Sequence, residues 1–240
     1  MRLILCGGGS GEQNTLANQK LNEIIDNSKP ILYVPLAMDE KDHPYDSCFE
    51  WINCELSNVD IPYIDMVRTF EELASKNYYD YSAIFIGGGN TYKLLKGIKE
   101  SGSFKKIKDY INNNGVVIGG SAGAVIFSKD IDIIASMDPN DVDLRDTAGF
   151  NVLNGLSVFP HYTNIKSKLT EEENKIRLDK FTNSIIDFTT SIGGVIAIPE
   201  EDAIFVNGDD IEIIGTRPYF IFKDGVKVER TIENGTKLKR

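Results

Sequence analysis

Short apolar runs alternate with helix-like segments through the first half of this chain, and that alternation restricts the fold more than any other feature. The runs are Leu3–Cys6, Ile31–Leu36, Ile61–Val67, Ala83–Ile86 and Val116–Ile118, each bounded by Gly, Pro or polar residues. Between them, Thr15–Ile25, Cys48–Leu56, Phe70–Ala74, Tyr92–Ile98 and Phe104–Asn112 carry apolar side chains at helical spacing. Strands and helices in alternation imply parallel strands joined by crossovers, with helices on both faces of the sheet. A sheet covered on both faces suits runs that are continuously apolar rather than alternating. The predicted class is α/β, a parallel sheet flanked by helices.

The second half changes character. Leu178–Phe188 carries one more helical pattern, followed by the short runs Val195–Pro199, Ala203–Val206, Ile211–Ile214 and Tyr219–Phe222. These are divided by Asn207-Gly208, Asp209-Asp210 and Asp224-Gly225. Asn-Gly and Asp-Gly suit tight hairpins, whose central positions need φ > 0, so the C-terminal region is predicted to be an antiparallel β-meander. No repeat, low-complexity stretch or break in composition divides the sequence, and its 240 residues are expected to form one domain, 1–240. A domain of that size buries roughly 70% of the surface its unfolded chain exposes and needs no disulfide or metal to hold it together.

Charge and cysteine usage remove several functions. With 26 basic and 36 acidic side chains the net charge is −10. Nucleic-acid binders concentrate basic residues on one face, because phosphate neutralisation supplies much of their affinity, so nucleic acid is not an expected partner. The basic end Lys237-Leu238-Lys239-Arg240 reads as a solvated terminus. Cys6, Cys48 and Cys54 form no CxxC pair, and neither histidine stands at zinc-ligand spacing, so no metal or cofactor is expected. Cys6 lies in an apolar run and reads as a small core residue. Met1–Cys6 lacks the apolar segment of a secretory signal, and nothing reaches the ~18 apolar residues that span a membrane. No membrane contact is expected, and a cytoplasmic location follows by elimination.

The chemistry concentrates at Gly119-Gly120-Ser121-Ala122-Gly123, after the strand Val116–Ile118 and before the apolar run Ala124–Phe127. G-x-S-x-G at a strand-to-helix turn is a nucleophile elbow: the sharp turn leaves no room for neighbouring side chains and lifts the serine Oγ above the sheet. Ser121 is the candidate nucleophile, and the Ala122 N–H can face the developing oxyanion. A serine hydroxyl needs a base within hydrogen-bond reach. The two histidines are His43, in the polar loop Asp39–Pro44, and His161, which follows the apolar run Leu156–Pro160. His43 reads as solvated. His161 reads as the base, since the active sites of open α/β sheets collect at strand ends. An orienting carboxylate is expected between Ser121 and His161 in sequence, from Asp130, Asp132, Asp138, Asp141, Asp143 or Asp146; Asp138, after Ile133–Met137, is the preferred member, and a dyad without an acid stays open. Gly7-Gly8-Gly9 and Gly87-Gly88-Gly89 each end a strand but match no nucleotide-binding pattern. Gly87–Gly89 can instead bring a backbone N–H to a bound oxygen, a second oxyanion donor beside Ala122.

Taken in order, Cys6–Ser10, Phe85–Thr91, Gly119–Ala124, Pro160–Asn164 and Ile198–Glu200 resemble the dipeptidase E (aspartyl dipeptidase) serine peptidases, a group that includes cyanophycinase. The likeness runs over nearly the whole chain. It implies a flavodoxin-like three-layer fold of the class I glutamine amidotransferase kind, with Ser where those enzymes carry a Cys nucleophile. It implies Ser121 as nucleophile, His161 as base and Gly88 as the second oxyanion donor. Asp138 falls near the family's triad aspartate, Asn90 near its substrate, and Glu200 resembles a glutamate that helps place the histidine or the substrate. No cofactor is implied, and a monomer or homodimer is expected.

The expected activity is hydrolysis of short peptides by a serine exopeptidase. Another amide or ester substrate, or a non-catalytic binding module on the same scaffold, is the alternative. One departure bears on specificity. The resemblance puts an aspartate-binding Arg at the start of the helix after the histidine, where this chain has Thr170-Glu171-Glu172-Glu173-Asn174-Lys175-Ile176-Arg177. If the acids face the pocket, peptides beginning with Asp or Glu are expected to be poor substrates; if they form a solvated first helical turn, Arg177 is the residue left to hold an aspartate.

Overall fold

The computed structural model of the chain describes residues 1–232 and Leu238. β1 (Arg2–Cys6), β2 (Ile31–Val34), β3 (Ile64–Met66), β4 (Ala83–Ile86) and β5 (Val116–Gly120) are parallel, and each falls on an apolar run of the sequence. Every residue of β2 and β4 is buried, which explains why these strands read as continuous rather than alternating. The connecting helices are α1 (Thr15–Ile24), α2 (Tyr45–Glu55), α3 (Phe70–Ser75), α4 (Thr91–Glu100) and α5 (Ser103–Asn112). In α4 the side chains of Leu94, Leu95 and Ile98 are fully buried, at the spacing that makes one helical stripe. Burial of each such side chain stabilises the fold by about 1.5–3 kcal/mol.

After β5 the chain turns into the short α6 (Ala122–Val125) and, beyond a 3-10 turn at Ile131–Ile134, into β6 (Ser157–Phe159). α7 (Glu171–Ser191) links β6 to β7 (Val195–Ala197), which pairs parallel with it. The remaining strands are β8 (Ala203–Asn207), β9 (Asp210–Ile214), β10 (Tyr219–Lys223) and β11 (Val226–Arg230). They do not form one meander. β8 pairs antiparallel with β1 and β9 with β8, which extends the main sheet to the order β3-β2-β4-β5-β1-β8-β9. β10 and β11 join β7 and β6 in a separate sheet, ordered β11-β10-β7-β6.

Both hairpins expected from the turn residues exist, but they lie in different sheets. The second is a two-residue loop with φ 52° at Asp224 and 77° at Gly225, the primed-turn geometry its sequence specifies. Splitting the strands between two sheets has a consequence for function: the turn after β7 lies beside the turn after β6, and both lie beside the carboxyl end of β1. No helix among the described residues is long and apolar enough to cross a membrane. Lys237, Lys239 and Arg240 of the basic terminus lie outside the described residues.

Candidate active site

β5 ends at Gly120 and α6 begins at Ala122, so Ser121 makes the turn alone, with φ 51° and ψ −113°. A non-glycine residue in that region costs on the order of 1–3 kcal/mol and persists only where its surroundings hold it. Here Ser121 N donates to Cys6 O at 3.3 Å, and Ser121 O accepts from Ala124 N at 2.8 Å and Val125 N at 3.0 Å. The flanking glycines follow from close approach: a Cβ on Gly119 would lie 2.3 Å from Gly123 O, and one on Gly123 would lie 2.0 Å from Ile86 O. The motif read from the sequence is therefore a contact between three backbone segments.

His161 lies just past β6, with φ 56°, and its N–H donates to Gly7 O at 2.9 Å. Its Nε2 is 2.9 Å from Ser121 Oγ, and its Nδ1 is 2.7 Å from Glu200 Oε1. An ionised carboxylate can only accept, so Nδ1 carries the proton and Nε2 faces the serine as an acceptor. Glu200 is the first residue beyond Pro199 in the turn after β7. The parallel pairing of β6 with β7 continues as Ile198 N to Phe159 O and Tyr162 N to Ile198 O, both 3.0 Å, which carries the two turns side by side.

The hydrogen bond from His161 holds the Glu200 carboxyl down at about 2, against the opposing cost of burial and with help from Lys166, whose Nζ is 3.1 Å from Oε1. Gln13 Nε2 donates to the other oxygen at 3.4 Å, and Glu200 N donates to Asn164 Oδ1 at 2.7 Å. Gly8 lies directly under the imidazole: at φ +98° its Cβ would be 2.2 Å from His161 Cε1. Gly7 N donates to Asp202 O at 2.8 Å and Gly9 N to Glu200 O at 3.2 Å. The first glycine cluster thus binds the loop after β1 to both turns that carry the site.

Asp138 is elsewhere. It follows the 3-10 turn at Ile131–Ile134, and its Oδ2 accepts from Thr91 N at 2.8 Å and Thr91 Oγ1 at 2.7 Å, anchoring the start of α4. The carboxylate on His161 Nδ1 is Glu200, so the acid follows the histidine in sequence instead of preceding it. Asp141 and Asp143 are exposed, and Asp146 pairs with Lys99 at 2.8 Å.

Gly88 lies beside the serine: a Cβ there would be 3.2 Å from Ser121 Cβ and 3.8 Å from its Oγ. Ala122 opens α6, where the first N–H groups have no intrahelical acceptor. Asn90 and Arg177 have other partners. Asn90 caps α4 by accepting from Lys93 N at 2.9 Å and donates to Pro139 O at 2.8 Å. Arg177 donates to Asn164 O and lies 5.0 Å over the Phe181 ring, bracing the asparagine that holds Glu200 N. Glu171, Glu172 and Glu173 form the exposed first turn of α7, where Thr170 and Glu173 make a capping box. None of these five residues lines the cleft.

The cleft in front of Ser121 holds about 680 Å³. The turns after β1, β4 and β5 bound it together with His161, and Tyr33, Met38, Trp51 and Phe85 supply apolar lining. Asp42 and the exposed His43 also line it. Cys6 is buried, and burial pushes its thiol up to about 12, in keeping with a core residue.

Comparison with known proteins gives one consistent result. The model of Peptidase family S51 matches residues 3–214. A "Peptidase E" of Shewanella denitrificans is 27% identical over 205 residues, 84% of this chain and 81% of that protein. A "Peptidase E" of Actinobacillus pleuropneumoniae is 29% identical over 156 residues, 64% of this chain and 62% of its own length. Among solved structures, a Listeria monocytogenes EGD-e protein assigned as a peptidase E superposes with a TM-score of 0.67 at 22% identity, covering 90% of this chain and 98% of that one. A peptidase from an acI-B1 Actinobacterium superposes with a TM-score of 0.62 at 20% identity, covering 100% and 96%. Both superpositions match the fold.

Proposed function

The chain belongs to peptidase family S51 and is a serine-type peptidase, and from that premise we propose that it cleaves short peptides at their N-terminal residue through an acyl-enzyme on Ser121. The observation that carries the reading is the unbroken line Ser121 Oγ, His161 Nε2, His161 Nδ1, Glu200 Oε1, with separations of 2.9 and 2.7 Å. His161 takes the hydroxyl proton as Oγ attacks the carbonyl carbon. Glu200, ionised throughout the neutral range, fixes the tautomer and stabilises the imidazolium that forms.

The oxyanion of the tetrahedral intermediate is received by the N–H groups of Gly88 and Ala122, each worth on the order of 3 kcal/mol of barrier. The imidazolium then gives its proton to the leaving amine. In the second half-reaction His161 removes a proton from water, which attacks the ester, and the proton returns to Ser121 Oγ. Both sheets contribute, Ser121 from the first and His161 and Glu200 from the second, which supports treating residues 1–240 as one catalytic unit. Turnover of a dipeptide panel tests the reading: release of the N-terminal amino acid by the wild type and its loss in His161→Ala are expected, and cleavage that survives His161→Ala contradicts it.

A further inference from the structure

The catalytic line uses one part of the cleft and leaves an aromatic part unexplained. Tyr33 on β2 and Phe85 on β4 are nearly fully buried, whereas Trp51 on α2 keeps 38% of its surface open. The three rings brace one another edge to face or tilted: Tyr33–Phe85 at 5.7 Å, Trp51–Phe85 at 6.2 Å and Tyr33–Trp51 at 6.4 Å. All three line the cleft that contains Ser121. Their recess adjoins the reacting centre, since a Cβ on Gly87 would lie 3.4 Å from the Tyr33 ring, and Gly88, the next residue, borders the serine. Rings locked by one another present a preformed apolar surface, the kind that binds a side chain without first being ordered.

Charge points the same way. Among the described residues, the cleft lining carries one carboxylate, Asp42, and no arginine or lysine. Lys93 and Lys166, on neighbouring elements, are engaged by Met38 O and by Glu200. An aspartate side chain entering the recess would lose its hydration with no cation to receive it. An apolar side chain would gain by the same transfer, and Asp42 suits the α-ammonium of a free N-terminus.

We infer that Tyr33, Trp51 and Phe85 form the specificity subsite, and that it takes a large apolar or aromatic side chain on the residue whose carbonyl Ser121 attacks. The inference rests on the peptidase reading above, but it has a readout that needs no turnover. Trp51 is the single tryptophan of the chain, so its emission reports occupancy of the recess directly.

Two measurements test it together. In the first, kcat/KM is compared for Phe-Leu, Leu-Leu, Ala-Leu and Asp-Leu. Phe-Leu or Leu-Leu is expected to exceed Ala-Leu and Asp-Leu by ~10–100-fold, the scale set by burying one large apolar side chain. Trp51→Ala should remove about tenfold or more of that advantage by lowering Phe-Leu and Leu-Leu more than Ala-Leu, and Trp51→Phe should restore most of it. In the second, the Ser121→Ala protein is titrated with the same uncleaved peptides; Phe-Leu should shift Trp51 emission at concentrations where Asp-Leu does not. If Asp-Leu is the best substrate, or Trp51→Ala lowers all four peptides equally, the subsite assignment is wrong and the peptidase reading stands. If no peptide is cleaved but Phe-Leu shifts the emission, the subsite stands and the proposed reaction falls. No cleavage with no shift overturns both.

Discussion

Replacing Glu200 by Gln changes one oxygen to an amide nitrogen and tests the relay at its least obvious member. In the native site the carboxylate accepts from His161 Nδ1 at 2.7 Å and from Lys166 Nζ at 3.1 Å. The amide can turn an N–H toward Nδ1, which forces the imidazole proton onto Nε2 and leaves Ser121 without an acceptor. An amide swap at the orienting acid of serine proteases costs about 10⁴ in turnover number, or roughly 5 kcal/mol of barrier, and a loss of ~10³–10⁴ is expected here. The fold should lose much less. A hydrogen bond to a charged group is worth about 1.5–3 kcal/mol, and the Lys166 partner is half exposed, so a destabilisation of about 1–2 kcal/mol is expected. The assay pairs kcat/KM on the best dipeptide with a urea titration of the same preparation. Retention of more than a tenth of wild-type kcat/KM would refute the assignment of Glu200 as the acid that orients His161.

Other substitutions separate support from chemistry. Asp138→Asn should keep kcat/KM within tenfold of wild type while lowering stability by about 1–2 kcal/mol, since its carboxylate holds Thr91 and the start of α4; a loss of 10³ or more in rate would return it to the catalytic line. Gly8→Ala puts a methyl 2.2 Å from His161 Cε1 and should lower kcat by about 10²-fold through displacement of the ring, with little change in activity counting against that packing. Asp202 is buried, one carboxylate oxygen has no hydrogen-bond partner among the described residues, and burial raises its pKa to about 6. The folded state therefore holds this proton more tightly than the unfolded chain does. The resulting stabilisation is complete below about pH 4 and disappears as the pH rises through 6, a change on the order of 3 kcal/mol. Asp202→Asn should remove that slope, and urea midpoints for wild type and variant that run parallel from pH 4 to 7.5 would contradict it.

The parallel half of the fold was legible because its signals are local. Buried strands such as Ile31–Val34 and Ala83–Ile86 announce themselves as apolar runs, and Gly119–Gly123 carries its own geometry. The rest depends on contacts distant in sequence. Glu200 was visible only through the family resemblance, because β6 and β7 have three residues each, too short for a period, and their pairing across α7 is what brings residues 161 and 200 together. β11 escaped notice because Val226–Arg230 is a solvated edge strand with no buried residue. α7 begins seven residues before its apolar pattern, where the signal is chemical rather than periodic: Thr170 and Glu173 form a capping box that the sequence does contain. The same box explains the acids at residues 171–173 as a helix start. The aromatic recess draws Tyr33, Trp51 and Phe85 from three separate elements, and no spacing rule connects them.

The central claim is that Ser121 is activated by His161. The most direct measurement is mass spectrometry of the protein after brief exposure to a fluorophosphonate, which phosphonylates serines made nucleophilic by a neighbouring base. One adduct per chain is expected, on the peptide containing Ser121, with labelling at least 10²-fold slower in His161→Ala and absent in Ser121→Ala. An unlabelled wild-type protein, or an adduct on any other residue, would contradict the account.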